Sequence, residues 1–299
     1  MPTIARRELL RASLQLGTAA MAAGPLSVLA SAEKPGEKMT FGMVTYLWGK
    51  EWDLPTLLSN CAKAGIGGVE LRAGHAHKVE PTLSPAQRAE VKKRLADSPV
   101  KLVGMGSAEE FHHPDPARLA KAIEATKAFI RLSHDVGGSG VKVRPNDLPK
   151  SVPQEKTIEQ IGKALNVVGA FGADFGQQIR LEVHGACSPL PIMKRIMDVA
   201  DHPNVGLCWN SNAADLTGAG LTANFNLVKR RFGRTAHVRP LDSRDYPFAE
   251  LIRLFVEMDY EGWLLLEAGG TPKDPIRDLV HQRELFAKYV TDAQAQARK

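Results

Sequence analysis

Short β-branched or apolar runs alternate with longer helical patterns eight times within roughly 260 residues, and this cadence constrains the fold more than any other feature of the chain. The strand candidates are residues 39–47, 68–72, 100–106, 140–144, 178–183, 205–210, 235–240 and 262–268. A helix candidate follows each one, at 54–64, 85–97, 116–135, 157–175, 190–200, 223–232, 248–259 and 275–290. Ser84-Pro85 and Asp115-Pro116 place a capping side chain just before a proline in the first turn. Gly and Pro punctuate most of the junctions. Eight strand-then-helix units match a closed (β/α)8 barrel, with an open doubly wound sheet as the alternative. The open sheet calls for a Gly-rich phosphate turn after the first strand, and Leu47-Trp48-Gly49-Lys50 is not one. The expectation is therefore a single-domain α/β chain, a (β/α)8 TIM barrel over residues 39–292, with a polar linker at 33–38 and a polar tail at 293–299.

Residues 1–32 stand apart from this pattern. Ala5-Arg6-Arg7-Glu8-Leu9-Leu10-Arg11 carries a twin arginine, a small-residue and apolar run covers residues 12–29, and Ala30-Ser31-Ala32 has the A-x-A form of a cleavage site. This reads as a signal peptide of the twin-arginine type, and it predicts an exported, periplasmic protein. Removing it takes away Arg6, Arg7, Arg11 and Glu8 and lowers the net charge from +6 to +4. The mature chain is thus only mildly basic. It lacks the Lys/Arg runs expected for nucleic acid or anionic lipid as a main partner, and no other stretch approaches the ~20 apolar residues of a membrane span. Cys61, Cys187 and Cys208 are widely spaced with no C-x-x-C pair, which points to buried free thiols instead of a disulfide framework. Self-association into a homo-oligomer stays open.

In a barrel the outward face of each strand packs under helices, so polar strand residues must face inward and share parity. Glu70 and Arg72, Lys142 and Arg144, Arg180 and Glu182, and His237 and Arg239 are each two residues apart on their strands. They would line the C-terminal mouth, where active sites of this architecture are built. The adjoining loops add His75 and His77, Glu109, His184, Asn212 and Asp242. His112, His113 and His134 read as solvated. Glu70, Arg180 and Lys142 are each compatible with a structural ion pair inside the barrel. Glu182 and Glu267 differ, because each closes an apolar run at the last position of a strand, where an uncompensated carboxylate is costly. Trp48 and Trp209 at strand ends suit either the core or a flat platform for a sugar face.

In this order, Gly68-Val69-Glu70-Leu71, Leu181-Glu182-Val183-His184-Gly185, Val205-Gly206-Leu207-Cys208-Trp209-Asn210, His237-Val238-Arg239-Pro240-Leu241-Asp242 and 260–267 (YEGWLLLE) resemble the xylose isomerase-like TIM barrels. That superfamily includes sugar phosphate isomerases/epimerases, ketose 3-epimerases and an apurinic endonuclease branch. The resemblance covers essentially the mature chain. It implies one divalent metal held by a Glu on strand five, an Asp on strand six, a His on strand seven and a Glu on strand eight, with the two glutamates also moving protons beside a carbonyl. Glu182 and Glu267 match the glutamates. Asn210 stands in place of the Asp, and Arg239 replaces the second His of the usual His-x-His-x-x-Asp segment. An amide is a weaker ligand than a carboxylate, and a guanidinium does not ligate metals.

Two versions of the site follow. In one, Glu182, Asn210 and Glu267 hold a divalent ion (Mn, Mg or Zn), with His237 or His184 as the fourth ligand. In the other, Arg239 supplies the charge without a metal and, with Lys142 and Arg144, orients a sugar oxygen or an anionic group. Glu182 and Glu267 are the expected catalytic pair in both. Glu70, Arg72, His75, His77, Lys142, Arg144, His184, Trp209, Asn212, Arg239 and Asp242 are the expected contacts to a small carbohydrate. The resemblance implies isomerisation or epimerisation by proton removal next to a carbonyl, with keto-sugar lyase chemistry and a non-catalytic carbohydrate-binding barrel as alternatives. Nucleic-acid hydrolysis, by contrast, needs several clustered His and acidic ligands and a basic groove.

Overall fold

The computed structural model describes residues 34–297, and the expected signal segment at 1–32 lies outside them. Eight parallel strands close into a barrel in chain order among these residues: β1 (Thr40–Val44), β2 (Gly68–Arg72), β3 (Lys101–Glu110), β4 (Gly140–Arg144), β5 (Gln178–Glu182), β6 (Val205–Asn210), β7 (Phe232–Val238) and β8 (Trp263–Leu266). Pairing of β1 with β8, from Thr40 opposite Trp263 to Met43 opposite Leu266, seals it. A helix follows each strand: α1 (Leu54–Ala64), α2 (Pro85–Ala96), α3 (Pro116–Val136), α4 (Gln154–Asp174), α5 (Leu190–Val199), α6 (Leu221–Val228), α7 (Phe248–Glu257) and α8 (Pro275–Gln296). No helix among the described residues is long and apolar enough to cross a membrane.

Local chemistry sets the helix ends. Asp53 caps α1 by accepting from the Thr56 amide, Gly65 ends it in the left-handed region, and Leu54, Leu57, Leu58 and Cys61 fall on one face and are buried. Ser84 and Gln87 form a reciprocal capping box on α2. Two expected boundaries move. Residues 293–296 were expected to be part of a polar tail but form the last turn of α8, with Ala293 buried. Residues 34–38, expected to be a linker, are fastened to the barrel: the Gly36 amide donates to Asp259 Oδ1 at 2.8 Å, Lys38 pairs with Glu261 at 2.8 Å, and Gln294 Nε2 donates to the Pro35 carbonyl at 3.0 Å. Cys61, Cys187 and Cys208 are buried and free.

Outward strand residues such as Val141, Val143, Ile179 and Leu181 are fully buried beneath the helices, in one continuous apolar core. The barrel interior is largely polar. Arg180 lies entirely inside it, donating to the Val103 carbonyl at 3.2 Å, to Ser139 Oγ at 2.8 Å and to Gln178 Oε1 at 3.3 Å. Glycines make room for it, since a Cβ on Gly104 would stand 2.9 Å from an Arg180 nitrogen and one on Gly140 2.8 Å from its guanidinium carbon. Arg180 therefore serves as a floor beneath the mouth, the structural role its position in mid-strand allows.

Candidate active site

Above that floor, six side chains on the inward parity of their strands form one connected cluster. Glu182 ends β5, and its Oε2 accepts from Lys142 Nζ of β4 at 2.7 Å. Asn210 ends β6 and its Nδ2 donates to Glu182 Oε1 at 2.8 Å and to Glu267 Oε2 at 3.2 Å. The β8 ladder continues one residue past its end, with the Glu267 amide donating to the Val238 carbonyl at 2.8 Å, and this directs the Glu267 side chain into the mouth. His237 of β7 stands between the carboxylates, its Nδ1 3.4 Å from Glu182 Oε1 and 3.7 Å from Glu267 Oε2, its Nε2 3.3 Å from Glu70 Oε1. Glu70, Lys142, Glu182 and His237 are all buried, while the Glu267 side chain keeps 16% of its surface open.

Electrostatics explain how three carboxylates share so small a space. Burial acts to raise the Glu182 pKa, but the ammonium of Lys142 and the imidazole of His237 outweigh it and hold the carboxyl well below its ordinary range. Burial likewise acts against the Lys142 charge, and the combined fields of Glu182, Glu70 and Glu267 overcome it, so the pKa rises. For His237, too, burial pulls the value down. The Cys208 sulfur and the Glu70 and Glu182 carboxylates lift it well above the usual imidazole value.

The same atoms meet the requirements of a cation site. Ligand-capable atoms of Glu182, His237 and Glu267 lie within 4.8 Å of one another. Glu70 has no hydrogen bond to either oxygen and sits against His237 Nε2, so it is placed to fix the ring with Nδ1 facing the two mouth glutamates. Asn210 turns its NH2 to both carboxylates and would have to rotate by half a turn to offer its oxygen. The donor set therefore fits a divalent ion through three residues, with Asn210 as a fourth only after that rotation.

The remaining expected contacts divide. Arg144 lies at the rim and donates to Glu110 Oε1 at 2.7 Å. Arg72 stacks its guanidinium over Tyr46, 4.8 Å from the ring centroid. His184 is half-buried, with Nδ1 2.8 Å from Asn146 Oδ1. This pairing relies on Gly185 at φ +63°, where a side chain would collide with the Asn146 carbonyl. His75 is also half-buried, and burial lowers its pKa. Trp48 donates to the Gly269 carbonyl at 3.0 Å, bridging the loops after β1 and β8.

Six residues stand in settings other than those expected. Trp209 is fully buried against Phe225 and Phe232, because parity that turns Asn210 inward turns its neighbour outward under the helices. Both nitrogens of His77 are engaged by backbone, the Arg72 carbonyl at 2.8 Å and the Val79 amide at 3.0 Å, and burial pushes its pKa to about 4, so it staples a loop. Asn212 spends its amide on the Val183 and Asn210 carbonyls, both at 2.9 Å. Asp242 turns toward α8, accepting from Gln282 at 2.9 Å. Arg239 does not fill the ion position: it pairs with Asp245 at 2.7 Å, bonds the Ser211 carbonyl at 3.0 Å, and lies 5.7 Å from the Tyr246 ring centroid. His112, expected to be solvated, is buried.

One buried acid beside the mouth escaped the sequence reading. Asp215 follows β6, with Oδ2 accepting from Tyr246 Oη at 2.7 Å and from the Asn212 amide at 2.8 Å, and Oδ1 unpaired. Burial outweighs these bonds and pushes its pKa up to about 7. Above the ordinary 3.8 and below about 7, the folded chain therefore holds a proton that the unfolded chain has released, and stability falls as pH rises through this window. Asp215→Asn keeps an oxygen for both donors and removes the titration. Thermal melts across pH are expected to show its advantage over the parent growing from pH 4 to pH 7 by up to roughly 4 kcal/mol and then levelling off. Parallel pH profiles for the two proteins would contradict the assignment.

A profile of the xylose isomerase-like TIM-barrel family matches residues 58–289. Among solved structures, an L-ribulose 3-epimerase superposes with a TM-score of 0.73 at 16% identity, covering 86% of this chain and 96% of the other. A 3-keto-D-glucoside 4-epimerase from E. coli, in its apo form, gives 0.66 at 14% identity, with coverages of 84% and 99%. The IOLI protein with a bound zinc atom gives 0.69 at 14% identity, with coverages of 86% and 99%. At these identities the likeness establishes the fold. No curated protein matches the chain in sequence at a significant level.

Proposed function

The chain belongs to the xylose isomerase-like TIM-barrel family, and from that premise we propose that it is a sugar isomerase or epimerase that removes a proton from the carbon next to a carbonyl of a sugar or keto-sugar. One observation carries the proposal: Glu182 at the end of β5 and Glu267 just past β8 converge on a single Asn210 amide at the barrel mouth. The epimerases among the similar structures support the same class of substrate.

The two glutamates have different work. Glu182 is pinned by Lys142 and Asn210, whereas Glu267 is bonded by Asn210 and keeps part of its surface open to the mouth. Glu267 is therefore the base that takes the carbon-bound proton. Glu267, now carrying that proton, returns it to the substrate, while Glu182, kept ionised by Lys142, has none to give and instead orients Lys142 and Asn210 around the sugar. As the carbonyl oxygen gains charge it needs a preorganised electrophile. Lys142, whose charge the surrounding carboxylates secure, supplies one, in place of the role first assigned to Arg239. If a divalent ion occupies the mouth, Glu182, His237 and Glu267 hold it and it supplies Lewis-acid polarisation of that oxygen. The Arg6-Arg7 leader pattern supports export, which favours a neutral or oxidised extracellular carbohydrate over a phosphate ester as substrate.

The test is product analysis by NMR after incubation with ketohexoses and 3-ketoglucosides. A rearranged or epimerised sugar is the expected product. An unsaturated elimination product would shift the assignment to a lyase, and saturable binding without any product would contradict the proposal.

A further inference from the structure

The loop leaving β3 carries a second polar cluster that the proposed sugar chemistry does not use. Glu110 ends the strand, and His112 and His113 follow across Phe111, which is fully buried and anchors the turn. One ligand-capable atom from each of Glu110, His112 and His113 lies within 4.8 Å of the other two. His112 is only 6% exposed, yet its Nδ1 has no hydrogen-bond partner and faces Glu110 Oε2 at 3.7 Å. A buried imidazole nitrogen left without a partner is costly, and native structures rarely keep one without a reason.

The cluster is also held in place. Arg144 grips Glu110 through Oε1 at 2.7 Å, which fixes the carboxylate and leaves Oε2 directed at His112. Gln160 of α4 donates to the carbonyls of both Phe111, at 2.7 Å, and His113, at 2.9 Å, so the backbone presenting the two rings is pinned from behind. The ring centroids are 4.1 Å apart. Support of this kind is what a ligand shell requires.

We infer that Glu110, His112 and His113 form a binding site for a divalent transition ion of the zinc type, separate from the glutamate pair at the mouth. Two imidazoles and one carboxylate suit zinc, cobalt or nickel far better than magnesium or calcium, which prefer all-oxygen shells. Three protein ligands leave a coordination position open. A groove of about 300 Å³, lined by Glu109, Glu110, His113, Arg118 and Lys121, borders the cluster. Arg118, 3.5 Å from His113 Nε2, and Lys121 make that groove suited to an anionic fourth ligand, such as a carboxylate.

The site is tested on the full chain carrying Glu182→Gln and Glu267→Gln, which removes the mouth carboxylates and makes the result independent of the sugar chemistry. Titration with Co2+, followed by visible absorption and equilibrium dialysis, is expected to show one bound equivalent with a ligand-field band that Zn2+ displaces. Adding His113→Ala, or separately Glu110→Gln, is expected to abolish the band. The same His113→Ala change in the otherwise unaltered protein should lower bound Zn2+ by one equivalent, which keeps the test decisive should the double variant misfold. Absence of cobalt binding in the folded double variant, or stoichiometry unchanged by both ligand substitutions, would overturn the inference.

Discussion

Glu267→Gln is expected to slow exchange of the carbon-bound substrate proton by about 100- to 10,000-fold, the range over which a positioned general base contributes. Glutamine preserves the shape of the side chain and offers an acceptor to Asn210, but it does not take up a proton at neutral pH. Substrate affinity should change far less than turnover, because Glu267 is held through one shared amide and a 3.7 Å approach to His237, looser than the 2.7 Å pairing of Glu182 with Lys142. A fall in affinity with turnover intact would assign Glu267 to binding. Glu182→Gln should also impair turnover, but with an added structural effect, since Lys142 then loses its 2.7 Å partner. The two variants thus separate the base from the carboxylate that anchors the site.

Lys142→Met is expected to destabilise the fold by about 3–5 kcal/mol, because it leaves the Glu182 carboxylate buried without its principal countercharge. Side-chain exposures of 3% for Lys142 and 1% for Glu182 leave water little access to compensate. For a chain of this size such a loss lowers Tm by roughly 6–20 °C. The Lys142→Met/Glu182→Gln double variant removes both charges and should recover much of the loss, and the coupling measured in that cycle gives the strength of the pair. Additive effects of the two substitutions would show that the pair is not coupled. Turnover should be lost in both proteins if Lys142 stabilises charge on the substrate oxygen.

The barrel was legible because its signals are local and repeated. The bounds expected for β2, β4 and β6 are those observed, and each of these strands is a short apolar run of fixed parity between glycine, proline or polar junctions. The expectation failed around α6, placed at residues 223–232. The helix ends at Val228, a 3-10 turn takes 229–231, and β7 begins at Phe232. Arg231 explains part of the shift: its guanidinium leaves the helical face to bond the carbonyls of Met197 and Ala200, contacts remote in sequence.

The site was legible where parity alone decided it. Glu70, Lys142, Glu182, Asn210 and His237 share the inward set of their strands, and Glu267 continues that of β8. Strand-end position misled for Trp209, although the same parity already turned it outward. Arg239 shares the inward parity of His237 but lies past the end of β7, where Asp245 and the Ser211 carbonyl bind it. Asp245 lies close to Arg239 in sequence, but that spacing is no recognised pairing pattern, whereas Gln160, which braces the loop bearing His112 from α4, is remote in sequence. Asp215 was hidden for a related reason: its burial depends on Tyr246, more than thirty residues away in the chain and adjacent only after folding.

The central claim is that Glu267 exchanges a proton with the carbon beside a sugar carbonyl, with Glu182 as its ionised neighbour. Incubating the protein with a ketose or 3-ketoglucoside in D2O and reading carbon-bound deuterium by NMR tests it most directly. Incorporation at the carbon adjacent to the carbonyl, abolished in Glu267→Gln, is the predicted result. Conversion of sugar with no solvent deuterium in substrate or product, or incorporation that persists undiminished in the variant, would contradict it.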